Sequence, residues 1–184
     1  LGVVLHNGYG LTETSPTISR TLYAVGSNEV NIGTPIPGVE IKIVGSDGCE
    51  IMDGSPGELH VRGPNVMLGY FRQPELTEAV IDKDGYLNTG DVVSVNSKQE
   101  MVVQGRTKEL IIRSGFNVYP PEIEAALNTH PAVLNSAVVG RSIEGNEEIV
   151  AFVEPVPGCH IEIDTLFALL DEQLARYKKP QKII

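Results

Sequence analysis

At 184 residues, with 41% hydrophobic and 21% charged side chains, the chain is long enough for one ordinary domain or two small ones on packed cores, and disorder or collagen-like structure is excluded. A formal net charge of -10 argues against a nonspecific binder of nucleic acid or membrane surfaces, because both partners are polyanions. An anionic ligand must therefore be held by local groups: helix N-termini, hydroxyls and single arginines or lysines.

The chain opens on Leu1 rather than Met and stops at Ile183 and Ile184 as if a strand were beginning, so both ends look cut. Near the start, HNGYGLTETSPT at His6 to Thr17 packs two glycines, an aromatic ring, hydroxyls and one carboxylate into a stretch expected to be neither helix nor strand. Glycines let backbone amides approach a purine or phosphate, Tyr9 offers a flat face, Thr12 a hydroxyl donor, and Glu13 an oxygen ligand for magnesium. A plain turn could use the same composition. Strict alternation in VEIKIV at Val39 to Val44 and in ELHVRG at Glu58 to Gly63 predicts half-buried antiparallel strands. Pro74 to Ile81 reads as one short helix, and Val92 to Val95 and Met101 to Val103 as further strands. Residues up to about 105 are expected to form a small β-barrel or sandwich.

After Gly105 the rhythm changes to α+β. Pro121 opens a helix with Ile123, Ala126 and Leu127 inward, and strands follow at Ser136 to Val139 and Ile149 to Val153. The last helix is expected over about Thr165 to Tyr177, with Asp164 as N-cap, a core stripe of Leu166, Leu169, Leu170 and Leu174, then Lys178, Lys179 and Pro180 at its end. Cys49 and Cys159 lack a CxxC partner or a histidine at zinc spacing, which reads as two free thiols in a reducing compartment. His6, His60, His130 and His160 are scattered singly, and no structural metal is expected. No apolar run approaches the ~18 residues of a membrane helix, so a cytoplasmic location is the default expectation.

YGLTE followed by TSP resembles the signature of the adenylate-forming family, which includes acyl-CoA synthetases, aryl-CoA ligases, firefly luciferase and peptide-synthetase adenylation domains. The resemblance continues in order through IGTPIPGVEIKIV, GELHVRGPNVMLGY, GYLNTGD, GRTKELIIRSGFNVYPPEIE and YKKP, and so covers essentially the whole chain. It implies the β-barrel-like end of a large adenylating domain over residues 1–107 and a small mobile α+β domain over 108–184, both incomplete. By the same resemblance Asn7 and Gly8 border the adenine, Tyr9 stacks on it, Thr12 meets the α-phosphate and Glu13 holds magnesium. Asp91 would accept both ribose hydroxyls, a paired geometry that a carboxylate satisfies. Arg106 would reach the ribose and phosphates, Lys108 would be the interdomain hinge, and Gly115 would line the channel for the coenzyme A thiol.

The loop wording RSGFNVYPPEIE looks like acyl-CoA synthetases of fatty acids, which makes coenzyme A the favoured acceptor beside ATP and magnesium. The implied reaction is activation of a small-molecule carboxylic acid, a medium- or long-chain fatty acid, through an acyl-adenylate. Only the region around Ser15 to Thr17 would border the acyl pocket. The family's phosphate loop would lie upstream of Leu1 and its adenylation lysine downstream of Ile184, so the fragment alone is expected to be inactive. Lys178, Lys179 and Lys182 take no catalytic role. Rival readings are an adenylation domain that loads a carrier protein, a luciferase-like oxidase, and a noncatalytic nucleotide-binding homologue.

Overall fold

A computed structural model describes residues 6–22 and 31–184, leaving Leu1 outside the described residues. The chain divides into two units, Leu1–Gln104 and Gly105–Ile184.

In the first unit, β1 (Gly8–Tyr9), β2 (Ser19–Arg20), β3 (Asn31–Pro35), β4 (Glu40–Val44) and β5 (Gly57–Arg62) are followed by α1 (Pro74–Val80), β6 (Leu87–Val95) and β7 (Met101–Arg106), the last two residues of which belong to the second unit. The strands form one seven-stranded sheet in the order β1-β2-β3-β7-β6-β5-β4. The expected barrel is corrected to an open sheet, because β1 and β4 lie at opposite ends of that order. The outer edge of β4 is met locally: Val44 bridges Glu50, and the Ile51 N–H donates to the Ile43 carbonyl at 2.8 Å. A covered edge removes the need for closure.

Alternation works as expected in β5, where Leu59 and Val61 are fully buried while Glu58, His60 and Arg62 face the other side. Ile41 stands opposite Val61 and Ile43 opposite Leu59, so the antiparallel register puts apolar residues of β4 and β5 on one face. Ile18, Ile32, Leu87, Val93 and Met101 complete that core.

The second unit contains β8 (Ile111–Arg113), β9 (Phe116–Val118), α2 (Pro120–Leu127), β10 (Val133–Ile143), β11 (Asn146–Pro155), α3 (Ile163–Gln173) and β12 (Lys182–Ile183). β10 and β11 are antiparallel, and β12 joins β11 in parallel, so the strand expected to begin at Ile183 is present. Two prolines occupy the first turn of α2, where a missing N–H costs least, and Ile123, Ala126 and Leu127 face inward at helical spacing. They pack with Ile111, Val118, Ile149, Leu166, Leu170 and Ile183.

The last helix is shorter than its leucine spacing suggests. α3 ends at Gln173, Leu174 is extended, and Arg176–Lys178 forms a separate 3-10 turn. Tertiary bonds explain the break: the Arg113 guanidinium donates to the carbonyls of Tyr177 at 3.0 Å and Lys179 at 2.6 Å, and the Lys178 ammonium bonds Glu122 at 2.6 Å. Glu162, not Asp164, occupies the N-cap and has no side-chain cap bond; its carbonyl accepts the Thr165 hydroxyl at 2.6 Å. Asp164 lies in the first turn, where its charge favours the helix dipole.

Candidate nucleotide site

The His6 to Thr17 stretch is more ordered than expected of a turn. Gly8 and Tyr9 form β1 opposite Arg20 and Ser19, and Thr12–Thr14 is a 3-10 turn. A Cβ at Gly10 would lie 1.5 Å from the Pro16 carbonyl oxygen, so the chain crosses itself where only glycine fits. Thr14 is fully buried; its hydroxyl accepts the Leu11 N–H at 3.0 Å and lies 3.0 Å from the carbonyls of Leu11 and Pro16. This inner clamp leaves Thr12 exposed and Glu13 half-buried at the head of the turn. Asn7 donates from its side chain to the Asn31 carbonyl at 3.2 Å, and its backbone pairs with Thr21.

Asp91 is positioned differently from a turn residue. Glu58 pairs with Val92 and His60 with Asn88, so β6 carries extra residues opposite Leu59 and bulges there. The bulge is held by its own side chains: the Thr89 hydroxyl donates to the Leu59 carbonyl at 2.8 Å, and Asn88 Oδ1 accepts the Gly90 N–H at 2.8 Å. Gly90 adopts φ 72, which favours glycine. The Asp91 N–H then donates to the Thr89 hydroxyl at 3.1 Å, and the Asp91 side chain, 4% exposed, meets Tyr9. The phenol of Tyr9 donates to Asp91 Oδ2 at 2.5 Å across 82 residues of sequence.

Glu13 has a partner that sequence reasoning missed. The Tyr70 phenol donates to Glu13 Oε1 at 2.9 Å. That bond, then burial and the nearby negative charge, push the Tyr70 phenol above its ordinary pKa. Tyr70 closes the motif GELHVRGPNVMLGY, but nothing in one-dimensional spacing links it to a carboxylate 57 residues earlier.

Asn7, Gly8, Tyr9, Thr12, Glu13 and Asp91 thus lie in the first unit, whereas Arg106, Lys108 and Gly115 fall in the second. Arg106 is the exposed last residue of β7, and Lys108 is exposed in the 3-10 turn Thr107–Glu109. Gly115 belongs to the two-residue turn joining β8 to β9, with Ser114 at φ 51 and Gly115 at φ 82. Two successive positive φ values are the mark of a type I′ hairpin, which accounts for the glycine before any ligand is considered. The hairpin is braced by Ser114 N–H to Asn146 Oδ1 at 2.8 Å and by Phe116 stacked on Tyr177 at 4.7 Å.

Residues 1–71 match the AMP-binding enzyme family, and residues 122–184 match the AMP-binding enzyme C-terminal domain. The chain belongs to the AMP-binding enzyme family. Among its relatives is the long-chain-fatty-acid–CoA ligase of Escherichia coli O157:H7, 38% identical over 99% of this chain and 32% of its own length. The 4-coumarate–CoA ligase 1 of Oryza sativa subsp. japonica is 38% identical over 99% of this chain and 34% of its own. A solved o-succinylbenzoate coenzyme A synthetase from Bacillus subtilis, in complex with ATP and magnesium ion, aligns at TM-score 0.89 with 33% identity, covering 100% of this chain and 38% of that one. The chain therefore spans about a third of the length of these family members. Among the described residues no helix is long and apolar enough to cross a membrane.

Proposed function

We propose that the intact protein is an AMP-forming acid–thiol ligase, an acyl-CoA synthetase, and that this chain supplies its adenosine-binding edge, its hinge and most of its small domain. The observation that carries the reading is the Tyr9–Asp91 bond at 2.5 Å, because it joins a flat ring for the base to a carboxylate for the ribose. Asp91 offers two acceptor oxygens with about four lone-pair directions, a geometry that suits paired hydroxyls. Gly8 leaves open backbone beside that ring, with only the Ser19 carbonyl 3.7 Å from where a Cβ would stand. Asn7 borders the base, and Arg106 reaches the ribose and phosphates.

Glu13 is one carboxylate rather than a cage, since among the described residues no three His, Cys, Asp or Glu side chains converge. That suits magnesium, which favours one or two carboxylates together with substrate phosphates and water. When bound there, the ion would neutralise charge on the triphosphate. Thr12, exposed beside Glu13, would donate to the α-phosphate. The acid's carboxylate oxygen attacks the α-phosphorus and pyrophosphate leaves; the thiol sulfur of coenzyme A then attacks the acyl carbonyl and AMP leaves, the thiol proton going to solvent. Residues 1–107 would belong to the large domain and 108–184 to the small domain, which turns about Lys108 between the two steps to bring Gly115 to the thiol channel.

We take the acid to be a medium- or long-chain fatty acid, supported by the loop wording and by the Escherichia coli relative; the rice relative favours an aryl acid as the second reading. The intact protein, given ATP, magnesium, coenzyme A and a panel of acids, is expected to release AMP fastest with a fatty acid of medium or long chain. Preference for coumarate-like acids would select the second reading. AMP release with no dependence on coenzyme A would remove the thiol-ligase assignment.

A further inference from the structure

We propose that Tyr70 is a positioning residue for the magnesium ligand, holding one oxygen of Glu13 so that the other is presented to the cation. The inference rests on the reading of Glu13 as that ligand. The strap after β5 reaches the Thr12–Thr14 turn at several points. Asn65 donates to the carbonyls of Thr14 at 3.1 Å and Thr17 at 2.8 Å, and the Met67 N–H donates to the Glu13 carbonyl at 2.8 Å. Those bonds fix the backbone of the turn. They do not choose among the rotamers of a glutamate, which has three rotatable side-chain bonds.

The phenol of Tyr70 makes that choice, by donating to Oε1 at 2.9 Å. Its own backbone is anchored independently: the Tyr70 N–H donates to the Thr77 hydroxyl at 2.9 Å, and that hydroxyl donates to the Gln73 carbonyl at 3.0 Å. Gly69 is packed against the same threonine, since a Cβ there would lie 2.8 Å from Thr77 Oγ1. The ring therefore projects from a segment tied to α1 through Thr77 rather than from a loose loop. A donor on one oxygen leaves the second to be presented to the cation, the monodentate geometry that a magnesium ion shared with phosphates takes.

The test measures ATP binding to the intact protein across a magnesium series, by equilibrium dialysis without acid or coenzyme A, for wild type, Tyr70→Phe, Glu13→Gln and the double variant. Tyr70→Phe removes only the hydroxyl. It is expected to raise the half-saturating magnesium concentration about three- to tenfold while ATP affinity at saturating magnesium stays within about twofold, and to add nothing in the Glu13→Gln background. If Glu13→Gln leaves the magnesium requirement unchanged, the assignment of Glu13 is wrong and the inference falls with it. If Glu13→Gln raises the requirement and Tyr70→Phe does not, the inference alone is overturned. A Tyr70→Phe protein with lowered melting temperature and ATP binding weakened equally at all magnesium concentrations would show a structural brace, and that too would overturn it.

Discussion

Replacing Asp91 with alanine in the intact protein is expected to raise the ATP concentration for half-maximal adenylation by about a hundredfold or more, since each hydrogen bond to a charged group contributes about 1.5–3 kcal/mol and two ribose hydroxyls lose their acceptor. The side chain is buried, so truncation also leaves the Tyr9 phenol without the carboxylate it meets at 2.5 Å. Asp91→Asn keeps the size and one acceptor oxygen and should fall between wild type and alanine. Substrate analogues separate a ribose role from a structural one. Wild type should discriminate strongly against 2′-deoxy-ATP, and Asp91→Ala should bind ATP and 2′-deoxy-ATP alike. If the alanine variant kept the discrimination, the Asp91 side chain would have no ribose role and would be left with its bond to the Tyr9 phenol.

The second large effect concerns Lys108, exposed at the centre of the 3-10 turn Thr107–Glu109. Lys108→Pro fixes φ near -65°, removes an N–H and narrows the choices of Thr107 before it, so the linker loses the freedom that a domain rotation would need. Both sets of catalytic side chains remain. Single-turnover pyrophosphate release should change within about threefold while transfer to coenzyme A falls on the order of a hundredfold, the scale set by misplacing reacting groups. On the proposed mechanism thioester formation would need the Gly115 loop to swing inward, which is why it should suffer more. Equal loss of both half-reactions in a folded variant would remove the hinge assignment.

What the sequence disclosed depended on whether the cause was local. The alternation in β4 and β5 is a two-residue period set by burial of one face, and it appears where VEIKIV and ELHVRG placed it. Leu166 and Leu170 likewise mark the buried face of α3. The end of α3 was not legible, because it is decided by Arg113, whose guanidinium reaches carbonyls 64 and 66 residues later. The β8–β9 hairpin was missed because its strands have three residues each, although Ser114 followed by Gly115 is a turn dipeptide that could have signalled it. Barrel closure could not be read from strand count; it depends on whether β4 finds a local partner, and the segment through Glu50 supplies one.

The candidate site divides in the same way. Tyr9, Thr12, Glu13 and Asp91 stood out as residue types within dense motifs. Their mutual geometry did not, since the Tyr9–Asp91 and Glu13–Tyr70 bonds each join segments more than fifty residues apart. Gly115 shows the opposite case. Its positive φ of 82 gives it a backbone reason to be glycine that is separate from any thiol channel.

The most direct test of the central claim follows one oxygen atom. The intact protein is given ATP, magnesium, coenzyme A and a carboxylic acid labelled with heavy oxygen in its carboxyl group, and the products are separated and weighed by mass spectrometry. Attack of the carboxylate on the α-phosphorus leaves that oxygen on AMP when the thiol displaces the nucleotide, so AMP should carry one labelled atom and pyrophosphate none. Unlabelled AMP, or label in pyrophosphate or inorganic phosphate, would contradict an acyl-adenylate and with it the function proposed for this chain.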